Sequence, residues 1–449
     1  MMRKPQKSNL RNHFINKANA CQLETHDVCI VDGGALLHKV SWPKTTYSAV
    51  IDGYVNFLKN NFKCYSTVVV VFDGYEDDMS TKGQEHDRRS GKTSASVSIS
   101  LDGKVTTNRE LFLSNPSNKV QLIKMLSSAF KKQGFLTDQS DGDADVLIVE
   151  KGLSYAKAGR NVVITADDTD IFILMMYHWK VGMGEMFFST DKIGDQKNKA
   201  KIKPKLFYWK ISQISATYDH CDTLLFAHAW SGCDTTSAIH QKGKTKILTT
   251  LKSEPIRELA RCFGNTEMDN EKIGAAGIEI MLKSFGAKAS DTLAQMRYKK
   301  YMEMVSTSAS VQPENLPPTE RATYFHALRV HLQVAQWKHL NLRCLIPTEW
   351  GFKSVEKPNK IEPIMTDLDA APEWLLKVVR CNCKTSSRRP CSSNLCSCRR
   401  NGLYCVAACG GCHGEGCENS EAPPPDSDNE TEEPLMSERN IFDILETLV

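Results

Sequence analysis

Three short β-branched runs, Val28 to Val31, Thr67 to Phe72 and Val162 to Thr165, are each followed within three residues by aspartate, and they alternate with segments of helical periodicity. Apolar at consecutive positions, such runs are buried on both faces, as the strands of a parallel sheet are. Asn118 to Gln133, Ala144 to Ala158 and Thr217 to Trp230 carry apolar faces at helical spacing. The alternation predicts an α/β fold with a doubly wound, mostly parallel sheet. Such a sheet binds its ligands beyond the carboxyl ends of its strands. Acids repeated there therefore point to one shared site.

Seven aspartates recur in this way: Asp32, Asp73, Asp143, Asp145, Asp168, Asp170 and Asp234. Any one of them taken alone reads as a turn or helix-cap residue. As a set they would repel and raise one another's pKa unless a cation neutralises them. Two Mg²⁺ or Mn²⁺ ions held by such acids clamp the attacking and leaving oxygens of a phosphodiester. Asp143 and Asp145 stand two apart, so both reach one site only if Asp143 lies at the helix cap. Asp167 is expected to be solvated.

The order of these blocks resembles the flap endonuclease branch of the PIN-like five-prime nucleases, over about residues 28 to 250. That family has an Asp after the first strand, an Asp-Gly after the second, two acids opening a helix, an Asp-x-Asp and a Gly-x-Asp. These fall on Asp32, Asp73, Asp143 with Asp145, Asp168 with Asp170, and Asp234. At the third block the family usually has the longer Glu. The resemblance also implies a Lys and an Arg seven apart that grip the scissile phosphate. Lys82 and Arg89 have that separation, with Arg88 as the alternative. The interval Tyr75 to Phe112, rich in Ser, Lys, Arg and Asp, would then hold a mobile arch; an ordinary surface insertion is the other reading. Where the family grips duplex backbone, this chain has Ser237 to Ile247, with Lys242, Gly243, Lys244 and Lys246 as phosphate contacts.

The implied activity is two-metal hydrolysis of DNA at flaps or free ends, a metal-activated water attacking in line to leave a five-prime phosphate, while Lys82 and Arg89 stabilise the developing charge. Two alternatives stand beside it: a non-catalytic DNA-binding or chromatin protein that keeps the fold as a scaffold, and an RNA-directed PIN-like nuclease. Nothing in the acids distinguishes a 2′-hydroxyl. An aspartyl-phosphate phosphatase is disfavoured, because Val31-Asp-Gly-Gly-Ala35 lacks the second Asp of that chemistry.

With 449 residues, 41% of them apolar, the chain has room for two or three domains and a sizeable core. Its net charge of only +4 says little about nucleic acid. Lys197, Lys199, Lys201, Lys203 and Lys205 form a local basic run that suits phosphate contact, nuclear import or a solvated loop. No apolar run reaches membrane-spanning length, and Met1-Met-Arg-Lys-Pro5 lacks a signal-peptide core. A soluble protein of the nucleus, or alternatively the cytoplasm, is expected. Residues 1–27 are expected to be a flexible segment and 251–345 mostly helical, with Thr319 opening a helix towards Trp337. Residues 346–379 read as a linker. His220, His228, His326 and His331 read as packing or surface residues rather than ligands.

Nine of the sixteen cysteines crowd the far end: Cys381, Cys383, Cys391, Cys396, Cys398, Cys405, Cys409, Cys412 and Cys417. In a reducing compartment such density reads as metal ligation more readily than as disulfides, and nine thiols cannot all pair. Two Cys-x-Cys pairs followed by closely spaced thiols resemble the tesmin/TSO1-like CXC domain, which implies three Zn²⁺ ions on nine thiolates across residues 380–419 and DNA binding. Thiolate zinc supplies the folding energy that so short a segment lacks. Lys384, Arg388, Arg389, Arg399 and Arg400 would serve DNA; a purely structural role is the alternative. Leu395 stands where family members often have Tyr, so base preference is unsupported. His413 is not counted a ligand, and Cys233 reads as a buried thiol. Residues 420–449 are acidic and Pro-rich, as disordered tails are, and Ile441 to Leu448 is a candidate protein-partner segment.

Overall fold

The computed structural model of the chain describes residues 2–21, 27–74, 81, 94–190, 207–305, 315–340, 345–355, 360–367, 381–384, 386, 389–405, 409–414 and 417–420. It divides into two compact units, Met1–Asp367 and Leu368–Val449.

The first unit is built on a six-stranded sheet: β1 (Val28–Asp32), β2 (Thr67–Phe72), β3 (Leu136–Gln139), β4 (Val162–Thr165), β5 (Met186–Thr190) and β6 (Phe207–Lys210), in spatial order β3-β2-β1-β4-β5-β6. The first five are parallel, and β6 pairs antiparallel to β5. Around it lie α1 (Ser8–Ile15), α2 (Gly33–Leu37), α3 (Tyr47–Phe62), α4 (Arg109–Leu113), α5 (Pro116–Lys132), α6 (Asp145–Lys157), α7 (Thr169–His178), α8 (Ile211–Ser215) and α9 (Leu224–Trp230). Five more follow: α10 (Lys244–Thr250), α11 (Glu254–Arg261), α12 (Asn270–Ser284), α13 (Leu293–Val305) and α14 (Glu320–His339).

The consecutive β-branched residues separate by pleat into two cores. Val28 and Ile30 of β1, Val69 and Val71 of β2, and Val162 and Ile164 of β4 face one core with α6, α7, α9 and α14. Cys29, Val31, Val68, Val70, Phe72 and Val163 face the other, against α3 and α5. Burial on both faces is what selects unbroken Val and Ile runs here over alternation. Strand order reverses at the β1/β4 junction, where Val28 pairs with Thr67 on one side and Val162 on the other. This switch point is where a doubly wound sheet opens a crevice.

Three expectations need correction. Residues 2–21 are not a free segment: α1 buries Leu10, Phe14 and Ile15 to 0–3% exposure, in the same core as β1 and β4. Residues 251–345 are mostly helical as expected, and α12 and α14 complete the same core; a methyl on Gly277 would stand 2.4 Å from Ala327 Cβ. Within the expected linker, β7 (Phe352–Ser354) and β8 (Ile361–Pro363) form an antiparallel hairpin. The buried Arg329 of α14 pins it, donating to the Gly351 carbonyl at 3.1 Å and the Ile364 carbonyl at 2.5 Å. Finally, 94–112 of the expected arch is laid against α5: Asn118 accepts from the Val97 amide and donates to the Ala95 carbonyl, and α4 buries Phe112. Residues 75–80 and 82–93, with Lys82, Arg88 and Arg89, lie outside the described residues, as does the Lys197 to Lys205 run.

Candidate metal centre

The acids of the switch point are set by local capping geometry. Asp32 ends β1 and caps α2, its Oδ1 accepting the Ala35 amide at 3.0 Å. Asp168 follows β4 and caps α7, Oδ1 accepting the Asp170 amide at 2.9 Å. Asp73, past the end of β2, accepts the Ala144 amide at 3.1 Å and so fastens the start of α6, where Asp145 is the first helical residue. The chain can approach this closely because residue 74 is glycine: a Cβ there would stand 2.1 Å from the Asp141 carbonyl oxygen. Each cap satisfies an orphaned helix N–H while presenting a carboxylate to the crevice.

The carboxylates meet. Asp145, Asp168 and Asp170 each bring an oxygen within 4.8 Å of the others. A methyl on Gly34 would lie 3.1 Å from Asp73 Oδ2 and 3.2 Å from Asp32 Oδ1, so these two acids face one small volume. Burial, opposed by the Ala35 amide and reinforced by Asp73, Asp168 and Asp167, pushes the Asp32 carboxyl up to about 7. Burial and the charge of Asp170 likewise raise Asp168, against the pull of Lys7. Crowded acids whose ionised forms are this disfavoured are relieved by a cation. The donors are all hard oxygens, the set Mg²⁺ and Mn²⁺ prefer. Octahedral Mg²⁺ separates its ligand atoms by about 2.9–4.2 Å, so a set spanning 4.8 Å closes with small side-chain adjustments.

Asp143 is exposed and stands outside the cap residue Ala144, and it is not part of the Asp145, Asp168, Asp170 group. Asp167, expected to be solvated, is instead half-buried, accepting from Thr190 Oγ1 at 2.7 Å with Lys39 at 3.7 Å.

Three cations that the sequence reading did not assign to the site complete it. Lys7, immediately before α1, brings Nζ to 2.8 Å from Asp234 Oδ2, 3.0 Å from Asp170 Oδ2 and 3.6 Å from Asp168 Oδ1. Arg11 donates to the Asp167 carbonyl at 2.6 Å. Lys244, expected on the phosphate surface, is buried, donating to His228 Nδ1 at 2.9 Å, to the His228 carbonyl at 2.7 Å and to the Gly232 carbonyl. Burial lowers its pKa to about 8. With Lys244 donating to Nδ1, the His228 proton sits on Nε2 and faces Asp170 Oδ1 at 2.7 Å. Burial first, then the charge of Lys244, lowers His228 to about 4, so the imidazole is neutral. Lys242 is half-buried, donating to the Ser284 carbonyl at 2.6 Å over the Phe285 ring, while Lys246 remains exposed. The one signal for Lys7 was the Leu10/Phe14 spacing of four behind it, an apolar stripe that marks α1 as a packed helix.

His220, His326 and His331 are packing residues, His326 donating to the Trp230 carbonyl at 3.0 Å and His331 accepting the Gly264 amide at 3.3 Å. Cys233 is buried against Thr235 and Thr236.

In the second unit the described sulfurs form one cluster. Cys381 Sγ lies 3.6–3.8 Å from those of Cys391, Cys405 and Cys412, and Cys398 lies 3.5 Å from Cys409. Tetrahedral zinc with Zn–S of about 2.3 Å places its sulfurs about 3.8 Å apart, so these spacings fit thiolate ligation. Three groups of four thiols are close enough to hold an ion, and all share Cys381. No disulfide joins the described cysteines. Lys384, Arg389, Arg399 and Arg400 are exposed, although Arg399 donates to the Ser392 carbonyl and Arg389 lies 3.4 Å from Glu418; Arg388 is outside the described residues.

No protein-family model matches the chain, and no curated protein matches it. Among solved structures it is similar to the catalytic core of Rad2 in complex with DNA substrate, at 15% identity and a TM-score of 0.35, over 54% of this chain and 66% of that one. The chain thus spans just under two thirds of the Rad2 core. It is also similar to the T5 D15 protein co-crystallized with metal ions, at 12% identity and a TM-score of 0.37, over 70% of this chain and 91% of that one. T5 5′-exonuclease with bound zinc gives the same identity, TM-score and coverage. Among the described residues, no helix is long and apolar enough to cross a membrane.

Proposed function

We propose that the chain is a metal-dependent nuclease acting on the phosphodiester bonds of DNA, at flaps or free ends, and that it is flap endonuclease-like in its first unit. One observation carries this reading. Asp32, Asp73, Asp145, Asp168, Asp170 and Asp234, contributed by separate stretches of chain, converge at the switch point of the sheet. The divalent ions that such an oxygen set binds supply charge neutralisation and an activated water for in-line displacement.

The chain's own residues do the rest. Asp32 and Asp168 are fixed by the helix N-termini they cap, Asp73 fixes Asp145, and His228 fixes Asp170, so the donor set is rigid before an ion arrives. Lys82 and Arg89 are proposed to stabilise charge on the scissile phosphate, and the exposed Lys246 to hold backbone beyond it. In the second unit, residues 380–419 are proposed as a CXC-type module with three Zn²⁺ ions on nine thiolates. Its exposed Lys384, Arg389 and Arg400 would retain it on DNA, in the nucleus.

The test is cleavage of end-labelled flap, single-stranded and blunt duplex DNA, and matched RNA, with Mg²⁺ or Mn²⁺, comparing the intact chain with Asp168→Ala. Metal-dependent DNA cutting lost in the variant supports the reading. Binding without cutting, by both proteins under both metals, replaces it with a scaffold protein, and cutting confined to RNA moves the substrate class.

A further inference from the structure

We infer that Lys244 is a positioning residue of the acid centre: its buried ammonium joins the ring that orients Asp170 to the turn that carries Asp234, and so sets the spacing of two acids from separate segments. The inference rests on the reading of these acids as a metal centre, not on what that centre cuts.

The register of α10 gives the first reason. Lys244, Ile247, Leu248 and Leu251 recur at helical spacing and are all buried, so a lysine holds a place at which the following turns have aliphatic side chains. Burying an ammonium is costly unless its donors are met. All three N–H donors of this one are met, by His228 Nδ1 at 2.9 Å, the His228 carbonyl at 2.7 Å and the Gly232 carbonyl. Closing the end of α9 accounts for the two carbonyls, since a helix C-terminus leaves its last carbonyls unpaired. It does not account for the bond to the ring.

That bond has a direction. Nδ1 accepts, so the ring proton is on Nε2, which stands 2.7 Å from Asp170 Oδ1. The other tautomer would turn an N–H towards the ammonium and a lone pair towards the carboxylate, unfavourable at both ends. Stacking on Trp337, with centroids 5.3 Å apart and planes at 15°, fixes the plane of the ring. On the other arm, Gly232 stands at φ +103°, where a Cβ would lie 2.8 Å from the Ala238 amide nitrogen. Asp234 follows in a turn stiffened by the Cys233 amide, which donates to the Thr236 carbonyl at 3.2 Å and to Thr236 Oγ1 at 3.0 Å. A stiff turn moves as one body, so the hold on Gly232 is also a hold on Asp234. Lys7 contacts the two acids themselves, whereas none of the three bonds of Lys244 goes to either. The hold of Lys244 therefore does not compete with a cation for their oxygens.

The experiment is a Mn²⁺ titration of the zinc-loaded full chain, with free Mn²⁺ read by electron paramagnetic resonance and the ring nitrogens of His228 followed by ¹⁵N NMR, their signals identified by their loss in His228→Ala. The unaltered chain should show a proton on Nε2 and Nδ1 as an acceptor. A proton on Nδ1 overturns the assignment, and that result needs no Lys244 variant to fold. Lys244→Met, which keeps the stem and loses the donors, should weaken Mn²⁺ binding about 10- to 100-fold and shift the Nδ1 signal. Removing a positive charge would by itself strengthen cation binding, so unchanged or tighter binding overturns the proposal. Ile247→Ala loosens the same buried face of α10 without touching the ring, and should leave Mn²⁺ affinity and the His228 signals as they were; an equal loss of affinity there overturns the proposal. Cleavage by the same samples separates the two readings. If the unaltered chain binds Mn²⁺ but cuts no DNA while Lys244→Met weakens the binding, the positioning role stands and the nuclease reading falls. If the unaltered chain cuts and Lys244→Met binds Mn²⁺ as before, the reverse holds. A chain that binds no Mn²⁺ overturns both.

Discussion

His228 donates its Nε2 proton to Asp170 Oδ1 across 2.7 Å, with both side chains almost wholly buried. The contact ties α9 to the first turn of α7. It also passes the acid cluster's charge to Lys244, on the far side of the ring.

His228→Ala should therefore do two things. It removes one of the three acceptors of a buried lysine and a donor to one oxygen of a buried carboxylate, a loss of about 3 kcal/mol. It also frees Asp170 to rotate, weakening Mn²⁺ binding about 10- to 100-fold. Urea denaturation reads the first and metal titration the second. A variant with unchanged Mn²⁺ affinity would separate His228 from the metal centre.

Phe14→Ala should destabilise the first unit by about 3–5 kcal/mol, the cost of emptying a fully buried aromatic site that packs edge-on against Tyr218. Were residues 1–27 a free arm, the midpoint of chemical unfolding would not move.

Gly34→Ala places a methyl 3.1–3.2 Å from carboxylate oxygens of Asp73 and Asp32. Residue 34 needs no left-handed backbone, so folding should change little, by less than about 1 kcal/mol, while affinity for Mn²⁺ drops about tenfold. Calorimetric unfolding and metal titration on the same sample distinguish the two effects.

Two buried histidines of α14 set a pH dependence remote from the acids. Burial, aided by the charge of Arg329 for His326 and of Lys338 for His331, depresses them to about 3 and about 4. Their unfolded counterparts protonate near pH 6.5. Between about pH 6.5 and 4 the unfolded chain binds protons that the folded chain does not, so their contribution is intact above 6.5 and lost as pH falls. Each should contribute a slope of about 1.4 kcal/mol per pH unit in that window. His326→Gln, which keeps a donor for the Trp230 carbonyl, should subtract about 1.4 kcal/mol per pH unit from the slope of the unaltered chain in denaturation curves between about pH 5.5 and 4.5.

Cys381→Ser should cost more than one zinc, because Cys381 belongs to all three thiol groups of ion-binding size. Cys417→Ser should cost at most one, since Cys417 belongs to none of them. Zinc per chain, measured by mass spectrometry after gel filtration, decides between a shared and an unshared sulfur.

What the sequence made legible follows from range. The runs at Val28, Thr67 and Val162 are strands because both faces are buried, and the aspartates after them lie where a parallel sheet delivers them. These are local patterns. The Lys7–Asp170 contact spans 163 residues and the Thr235–Gln333 hydrogen bond beside Asp234 spans 98, and no periodicity encodes either. Lys244 misled for a different reason: set between Lys242 and Lys246 it has the composition of a solvated, phosphate-facing loop, and only the register of α10 turns it inward. The hairpin of 352–363 was hidden because three-residue strands fall below any readable period.

The docking of the N-terminal helix also sets an order of events during synthesis. Arg3 and Lys7 leave the ribosome well before their partners Asp234, Ser237 and Ala238, which follow more than 220 residues later. At about 5–20 residues per second, roughly 10 to 50 s of translation pass with the acid centre unassembled. A nascent chain released before that point carries an amphipathic helix with no core to join, so its exposed Leu10 and Phe14 would mark it for chaperones.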